Sequence, residues 1–281
     1  MATVVKERRE TFPAYRRTRA VNWSTLKEMA RSPKHYHYRL THPPEETPGM
    51  RLGRAIHTAV LEPDAFPLEY VVYDGPRRAG KEWEEFALVN VRKTILKVDE
   101  YQTALDVRDA VRAHKLAARL LRRGRSEVTL TWMDPQTRMR CKGRLDHLRG
   151  DVLTDLKSTR DVDARTFGRL CANMEYHAQL AFYRRGLIAT AHKPAPVYIV
   201  AVESAAPFDV AVFAVDEDVL EAGDMLVAKL LHQVKTCRRL RRWPGRYESE
   251  ESLDFPRWGL PSDTDLTGLG IAFEARGVTA S

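Results

Sequence analysis

Asp146, Asp155 and Lys157 lie close together in the stretch GRLDHLRGDVLTDLKST, residues 143–159. Alternate residues of a strand share a face, so Asp155 and Lys157 project the same way. Arg149-Gly150 reads as a two-residue turn between two strands. That turn sets Leu148 opposite Asp151 and Arg144 opposite Asp155, with Asp146 on the same face and diagonal to Asp155. Diagonal neighbours sit about 7–8 Å apart at Cα, close enough for two carboxylates to hold one cation. Any even-length loop keeps the shared face, whereas a one-residue slip destroys it.

Two unpartnered carboxylates held together repel, and their pKa values rise. A divalent cation removes that penalty, and oxygen ligands suit Mg²⁺ or Mn²⁺. Such an ion lowers the pKa of a bound water and polarises a phosphoryl oxygen. Lys157 adds a fixed positive charge beside a phosphorus under attack, and can orient or deprotonate the attacking water. Together these are the parts of a phosphodiester hydrolase.

The elements that must position these residues are legible as changes of period. A helix is predicted from Asn22–Ser24, with a capping box from Thr25 to Glu28 and a break or re-cap at Pro33. MRLGRAIHTAVLEP repeats Leu52, Ile56, Ala59 and Val60 at helical spacing and ends at Pro63. YVVYDGP reads as a short strand, and residues 81–97 and 99–123 as two helices. The period then drops to two in 127–134 and 138–148. In the second run Met139, Cys141, Gly143 and Leu145 share one face, and Arg140, Lys142, Arg144 and Asp146 the other. DVLTDLKS is the third strand, followed by helices over 163–174 and 176–192, a hairpin from APVYIVAVES and FDVAVFAV, and a long helix over 216–241. The expected architecture is one mixed α/β (α+β) domain over 22–260, a central mixed sheet flanked by helices with a helical N-terminal cover. A flexible basic arm over 1–21 precedes it and a tail over 261–281 follows.

The 281 residues are 43% hydrophobic, enough for a sizeable core, and the formal charge of +8 favours an anionic partner such as nucleic acid. Arginine-rich runs at 114–125 and 237–243, and Arg16, Arg17 and Arg19 as a mobile arm, are candidates to border a phosphate backbone. Cys141, Cys171 and Cys237 are widely spaced with no CxxC pair, which argues against a zinc ribbon and fits a reducing cytoplasm. No apolar run is long enough for a signal peptide or membrane span, so no membrane partner is expected.

Three stretches, in order, resemble the PD-(D/E)XK nuclease superfamily, and within it the RecB/RecE-like phage-type (exodeoxyribonuclease VIII-like) exonucleases. LGRAIHTAVLEP resembles the helix with a metal-binding histidine, here His57; KGRLDHL…DVLTDLKST resembles the core hairpin; YHAQLAFYRRGL resembles the helix with a Q-x-x-x-Y pair, here Gln179 and Tyr183. STLKEMARSPKHYHYRL and WPGRY…LDFPRWGLP are also similar to members of the group. The resemblance implies a restriction-endonuclease-like core with Asp146, Asp155 and Lys157 catalytic. It implies metal ligation by His57, Asp146, Asp155 and the Leu156 backbone carbonyl, and DNA binding or site support from Gln179, Tyr183, Arg144, Ser158 and Thr159. An imidazole ligand would favour Mn²⁺ more than an all-oxygen site. Gln179 and Tyr183 share a helix face, from which they can hydrogen-bond the active-site strand or hold a nucleotide. Glu127 is expected to reach the cluster at most through water. Leu145 stands where the superfamily's proline would be, and Ser32-Pro33 where relatives with an iron–sulfur cluster carry Cys-Pro, so no cluster is expected.

By resemblance the activity would be resection of duplex ends 5′ to 3′ for recombination or repair, in a bacterial or phage-infected cytoplasm. It would leave a single strand for an annealing protein, and the enzyme would form a ring-shaped homo-oligomer. A structure-specific or single-strand endonuclease of the same fold and a non-catalytic DNA-binding protein are the alternatives.

Overall fold

The computed structural model of the chain describes residues 6–9, 12–190, 196–254 and 256, with the backbone alone for 6–9, 12 and 13. The chain begins with β1 (Lys6–Arg9) and α1 (Phe12–Arg17), where the sequence predicts an irregular arm. β1 is ordered by pairing with a strand more than a hundred residues later, a contact no local pattern announces. Side-chain oxygens start the next helices. Asn22 caps α2 (Trp23–Leu26), one turn ahead of the expected box at Thr25. α3 (Glu28–Arg31) follows, and Ser32 with Pro33 in the first turn re-caps the chain into α4 (Pro33–Thr41). Thr47 and Pro48 open α5 (Pro48–Leu61), which stops short of Pro63.

α6 (Phe66–Glu69) leads into β2 (Tyr70–Val72). The helix predicted over 81–97 is instead α7 (Lys81–Val89) and β3 (Thr94–Leu96), and β3 pairs in parallel with β2 in a small sheet of its own. The helix predicted over 99–123 is α8 (Val98–Ala113) and α9 (Lys115–Leu121). It breaks at His114, whose Nδ1 accepts the Ala117 N–H and caps the second piece. The remaining elements are β4 (Arg125–Met133), β5 (Arg140–Arg149), β6 (Val152–Thr159), α10 (Ala164–Asn173), α11 (Tyr176–Ala189), β7 (Val197–Glu203), β8 (Val210–Val215) and α12 (Glu217–Leu240).

The main sheet runs β1-β4-β5-β6-β7-β8, antiparallel except for the β6–β7 pair, which α10 and α11 connect. Neighbouring side chains of a buried strand serve opposite layers. Ile199 and Ala201 join a core with Trp132, Leu145, Phe182 and Leu230, on the side of α11 and α12. Val200 and Val202 join a second with Ile56, Leu96, Val107 and Leu156, on the side of α5 and α8. The apolar run in β7 is therefore that of a strand covered on both faces, and the architecture is the expected mixed α/β core.

The β5–β6 turn falls on Gly150-Asp151 rather than Arg149-Gly150, with Gly150 at φ +59. Leu148 therefore pairs with Leu153, not Asp151. The displacement is two residues in register, so the faces are kept. The β5–β6 ladder runs only through His147–Thr154, Leu148–Leu153 and Arg149–Val152, and beyond it the two strands part.

The chain divides into a unit spanning Met1–Gly245, which carries all these elements, and a second unit, Arg246–Ser281. The described residues of the second unit form no helix or strand, and the tail predicted over 261–281 lies outside the described residues.

Candidate active site

The fork between β5 and β6 opens at Asp146 and Asp155. Continuing the register sets these two residues opposite one another rather than diagonal. The Leu156 N–H donates to Asp146 Oδ2 at 2.8 Å, so a carboxylate takes the place a strand partner would fill. In a strand the N–H and C=O of one residue point to the same side. The Leu156 carbonyl therefore points into the fork.

α5 brings His57 to the same place. Ala55, Ile56 and Ala59 are buried in the helix, which leaves His57 on its flank with Nδ1 3.6 Å from Asp146 Oδ2. Glu127 completes a cluster that the sequence underrated. One ligand atom from each of His57, Glu127 and Asp146 lies within 4.8 Å of the other two. The β4–β5 ladder explains how Glu127 arrives. Ser126 pairs with His147 and Val128 with Leu145, so Glu127 stands opposite Asp146, yet these two drop out of the ladder. Glu127 has φ +56, a left-handed conformation rare for a residue with a Cβ. Across that interruption Leu145 and Leu148, three residues apart, enter the same core. The alternation slips once, at Asp146. Such outliers concentrate at functional sites, held by surrounding structure. The sequence signal was present: a glutamate at the matching position of the neighbouring strand.

On the other side of the fork stands Lys157. Its Nζ is 2.6 Å from Asp155 Oδ2, donates to Gln179 Oε1 at 3.1 Å, and lies 4.5 Å from the centre of the Tyr176 ring. Gln179 Nε2 donates to Tyr183 Oη at 3.0 Å. α11 thus supplies Tyr176, Gln179 and Tyr183 along one face, and the predicted Q-x-x-x-Y pair reaches the active-site strand through Lys157. Tyr176 is an addition that sequence reasoning missed. Tyr183 packs so closely over Gly143 that a Cβ there would lie 2.9 Å from the ring.

Electrostatics follow from crowding. Burial, then the neighbouring Asp155, push the Asp146 carboxyl up to about 8, against the pull of Lys157 and the Leu156 N–H. Burial and Asp146 raise Glu127 too, opposed by Arg144 and His57. Burial and then Lys157 lower His57, which keeps the imidazole neutral at pH 7, the form that ligates metal. Burial disfavours the Lys157 ammonium, but Asp155 and Asp146 outweigh it and hold the pKa above its ordinary value. Lys157 is therefore held as a cation and donor at neutral pH.

The residues fit a divalent cation. Asp155 is fully buried, and neither of its oxygens accepts an aligned hydrogen bond. His57, Glu127 and Asp146 add one nitrogen and carboxylate oxygens, a donor set suited to Mg²⁺ or Mn²⁺. Arg144 is engaged in an ion pair with Glu127. Ser158 turns toward α5, its Oγ 3.9 Å from where a Cβ on Gly53 would be. Thr159 is buried and closes a turn, donating to the Asp161 carbonyl at 3.0 Å. Of the basic runs, Arg122 and Arg123 are exposed between α9 and β4, and Arg125 is exposed at the start of β4. Arg238 donates to Tyr36 Oη and to Met139 Sδ.

Residues 22–255 match the family described as a PDDEXK-like domain of unknown function, DUF3799. Among solved structures, a protein from Eubacterium rectale described as a "putative exonuclease" superposes with a TM-score of 0.59 at 13% identity, covering 92% of this chain and 98% of that one. The crystal structure of SSO0001 gives a TM-score of 0.31 at 14% identity over 80% of this chain and 88% of that one, too distant to support any argument. No curated protein sequence matches. Among the described residues no helix is long and apolar enough to cross a membrane.

Proposed function

Because the chain belongs to the PDDEXK-like family DUF3799, we propose that it is a divalent-metal-dependent deoxyribonuclease that degrades DNA from its ends. The observation that carries this reading is the meeting of Asp146, Asp155 and Lys157 with His57 and Glu127 where the β5–β6 strands part. A non-catalytic DNA-binding protein has no need of a buried, under-bonded carboxylate beside a buried ammonium.

In this proposal His57, Glu127, Asp146, Asp155 and the Leu156 carbonyl hold Mg²⁺ or Mn²⁺. Bound there, the ion supplies a water of lowered pKa and polarises a phosphoryl oxygen. The protein does the rest. Water oxygen attacks phosphorus as the bond to the leaving nucleotide's oxygen breaks. The Lys157 ammonium, fixed between Asp155 and Gln179, faces the charge that builds on the phosphoryl oxygens. Tyr183 and Gln179 hold that ammonium in place through their hydrogen bonds.

The exonuclease reading draws on the RecE-like motifs and on the description of the Eubacterium rectale neighbour. The same resemblance suggests digestion 5′ to 3′, a ring-shaped oligomer and an annealing partner for recombination. The test is a timed digest of linear DNA labelled at the 5′ or 3′ end beside covalently closed circular DNA, with Mg²⁺, Mn²⁺ or chelator. Loss of the linear form alone, with metal alone, is expected. Cleavage of circles would make the enzyme an endonuclease, and DNA binding without cleavage under any metal would end the proposal.

A further inference from the structure

A second buried ammonium lies away from the metal cluster. Lys142 on β5 is 3% exposed. Its Nζ donates to the main-chain carbonyls of Tyr15 at 2.6 Å, Thr18 at 2.9 Å and Arg16 at 3.4 Å, and stands 4.3 Å from the centre of the Tyr15 ring. These carbonyls close the C-terminal end of α1, where helical acceptors lack partners and a positive charge complements the helix dipole. A buried ammonium is tolerated only where acceptors replace its water. Lys142 and the segment therefore hold each other in place.

The segment sits at the fork. At 140–142 one edge of β5 pairs with β4, and the other receives Val21: the Val21 N–H donates to the Arg140 carbonyl at 2.9 Å and the Lys142 N–H to the Val21 carbonyl at 2.8 Å. This is the edge that β6 occupies at 147–149 and leaves at Asp146. The N-terminal segment thus lines the open end of the gap whose closed end holds the carboxylates. Lys142 and Asp146 are four residues apart on one strand, about 13 Å, or roughly four base-pair rises along the axis of B-form DNA. Arg16, Arg17 and Arg19 are exposed, and none is ion-paired with a carboxylate of the described residues.

We propose that Tyr15–Val21 is a fixed wall of the DNA path, that Arg16, Arg17 and Arg19 contact backbone phosphates there, and that Lys142 is the positioning residue that holds the wall against β5. This rests on the nuclease reading for its ligand, and it replaces a mobile arm with a docked one. Because the contacts are to phosphate, they position the strand without reading its sequence.

The test is binding of a short fluorescein-labelled DNA duplex across a salt series, in chelator so that nothing is cut. Each phosphate contact contributes about 0.9 to the slope of log K against log salt. The triple variant R16A/R17A/R19A is expected to lower that slope by about 2.7, which is roughly fortyfold in relative affinity between 50 and 200 mM salt. A charge-matched control, K34A/K229A/K235A, is expected to keep the wild-type slope; an equal loss in both would reduce the effect to net charge and overturn the proposal. Lys142→Met is expected to expose the bonds after Arg16, Arg17 and Arg19 to trypsin and to weaken duplex binding together. A released segment with unchanged binding would overturn the positioning role, and an unchanged slope in the arginine variant would overturn the wall whether or not the Lys142 variant folds. A wild type that shows the slope effect but never cleaves with metal would support the wall and refute the nuclease reading.

Discussion

Replacing Lys157 with Met tests the electrostatic core of the site. Met keeps most of the length and apolar stem of lysine, so the change removes charge rather than volume. The ion pair it breaks is buried, with 13% of the Lys157 and 1% of the Asp155 side chain exposed, and close, at 2.6 Å. Removing one partner of a buried pair leaves the other uncompensated and costs about 3–5 kcal/mol. The hydrogen bond to Gln179 and the contact with Tyr176 are part of that figure and are not added to it. With an m-value of about 3 kcal/mol/M the urea midpoint in chelator should fall by about 1–1.7 M. A divalent cation beside Asp155 replaces the missing charge, so saturating Mn²⁺ should restore stability, by about 2.7 kcal/mol at a hundredfold excess over Kd. Cleavage should drop while metal binding persists if the ammonium acts on the phosphoryl group as proposed. Urea denaturation of wild type, Lys157→Met, Asp155→Asn and the double variant gives the coupling energy directly. A coupling below about 0.5 kcal/mol, the usual additivity error, would refute the reasoning.

Asp146 makes the metal-free protein pH-sensitive. Its folded pKa of about 8 lies above the ordinary 3.8, so its contribution to stability is complete below pH 4 and is lost as pH rises through 8. Metal must displace that proton, so affinity for Mn²⁺ should climb toward pH 8 with proton release at pH 7, read by calorimetry in buffers of different ionisation enthalpy; no proton release would contradict it. Glu127→Gln should weaken Mn²⁺ binding by about ten- to a hundredfold, and an unchanged Kd would reduce Glu127 to a partner for Arg144. Gly143→Ala puts a Cβ 2.9 Å from the Tyr183 ring, which must shift with Gln179 and Lys157. The cleavage rate should fall by about tenfold, equivalent to 1.4 kcal/mol, with metal affinity unchanged, and a wild-type rate would show that the hydrogen-bond chain does not position Lys157.

Much of the site was legible because its spacing is local. Asp155 and Lys157 share a strand face by simple alternation, and Gln179 and Tyr183 share a helix face by the 3.6 repeat. The turn was misplaced by one residue, yet the two-residue change in register kept Asp146 with Asp155, since strand faces repeat every second residue. His57 was found through its motif and not its environment, as nothing in MRLGRAIHTAVLEP distinguishes a ligand from a flanking surface histidine. β3 was lost inside a helical pattern because three residues are too few for a period to declare itself.

Residue types and their order were enough to define a mixed α/β core and to set Asp146, Asp155 and Lys157 on one strand face, because side-chain periodicity depends only on neighbours along the chain, while Gln179 and Tyr183 came from the resemblance. Tertiary structure decided what depends on distant partners. It brought Glu127 to His57 and Asp146, in a group that could hold a metal ion, through a left-handed conformation opposite Asp146. It raised the Lys157 pKa by surrounding the ammonium with carboxylates. It also docked Tyr15–Val21 on β5 through Lys142, a contact across more than a hundred residues. A charge reads alike in sequence whether solvated or buried; only packing decides which acceptors replace its water, and so what it does.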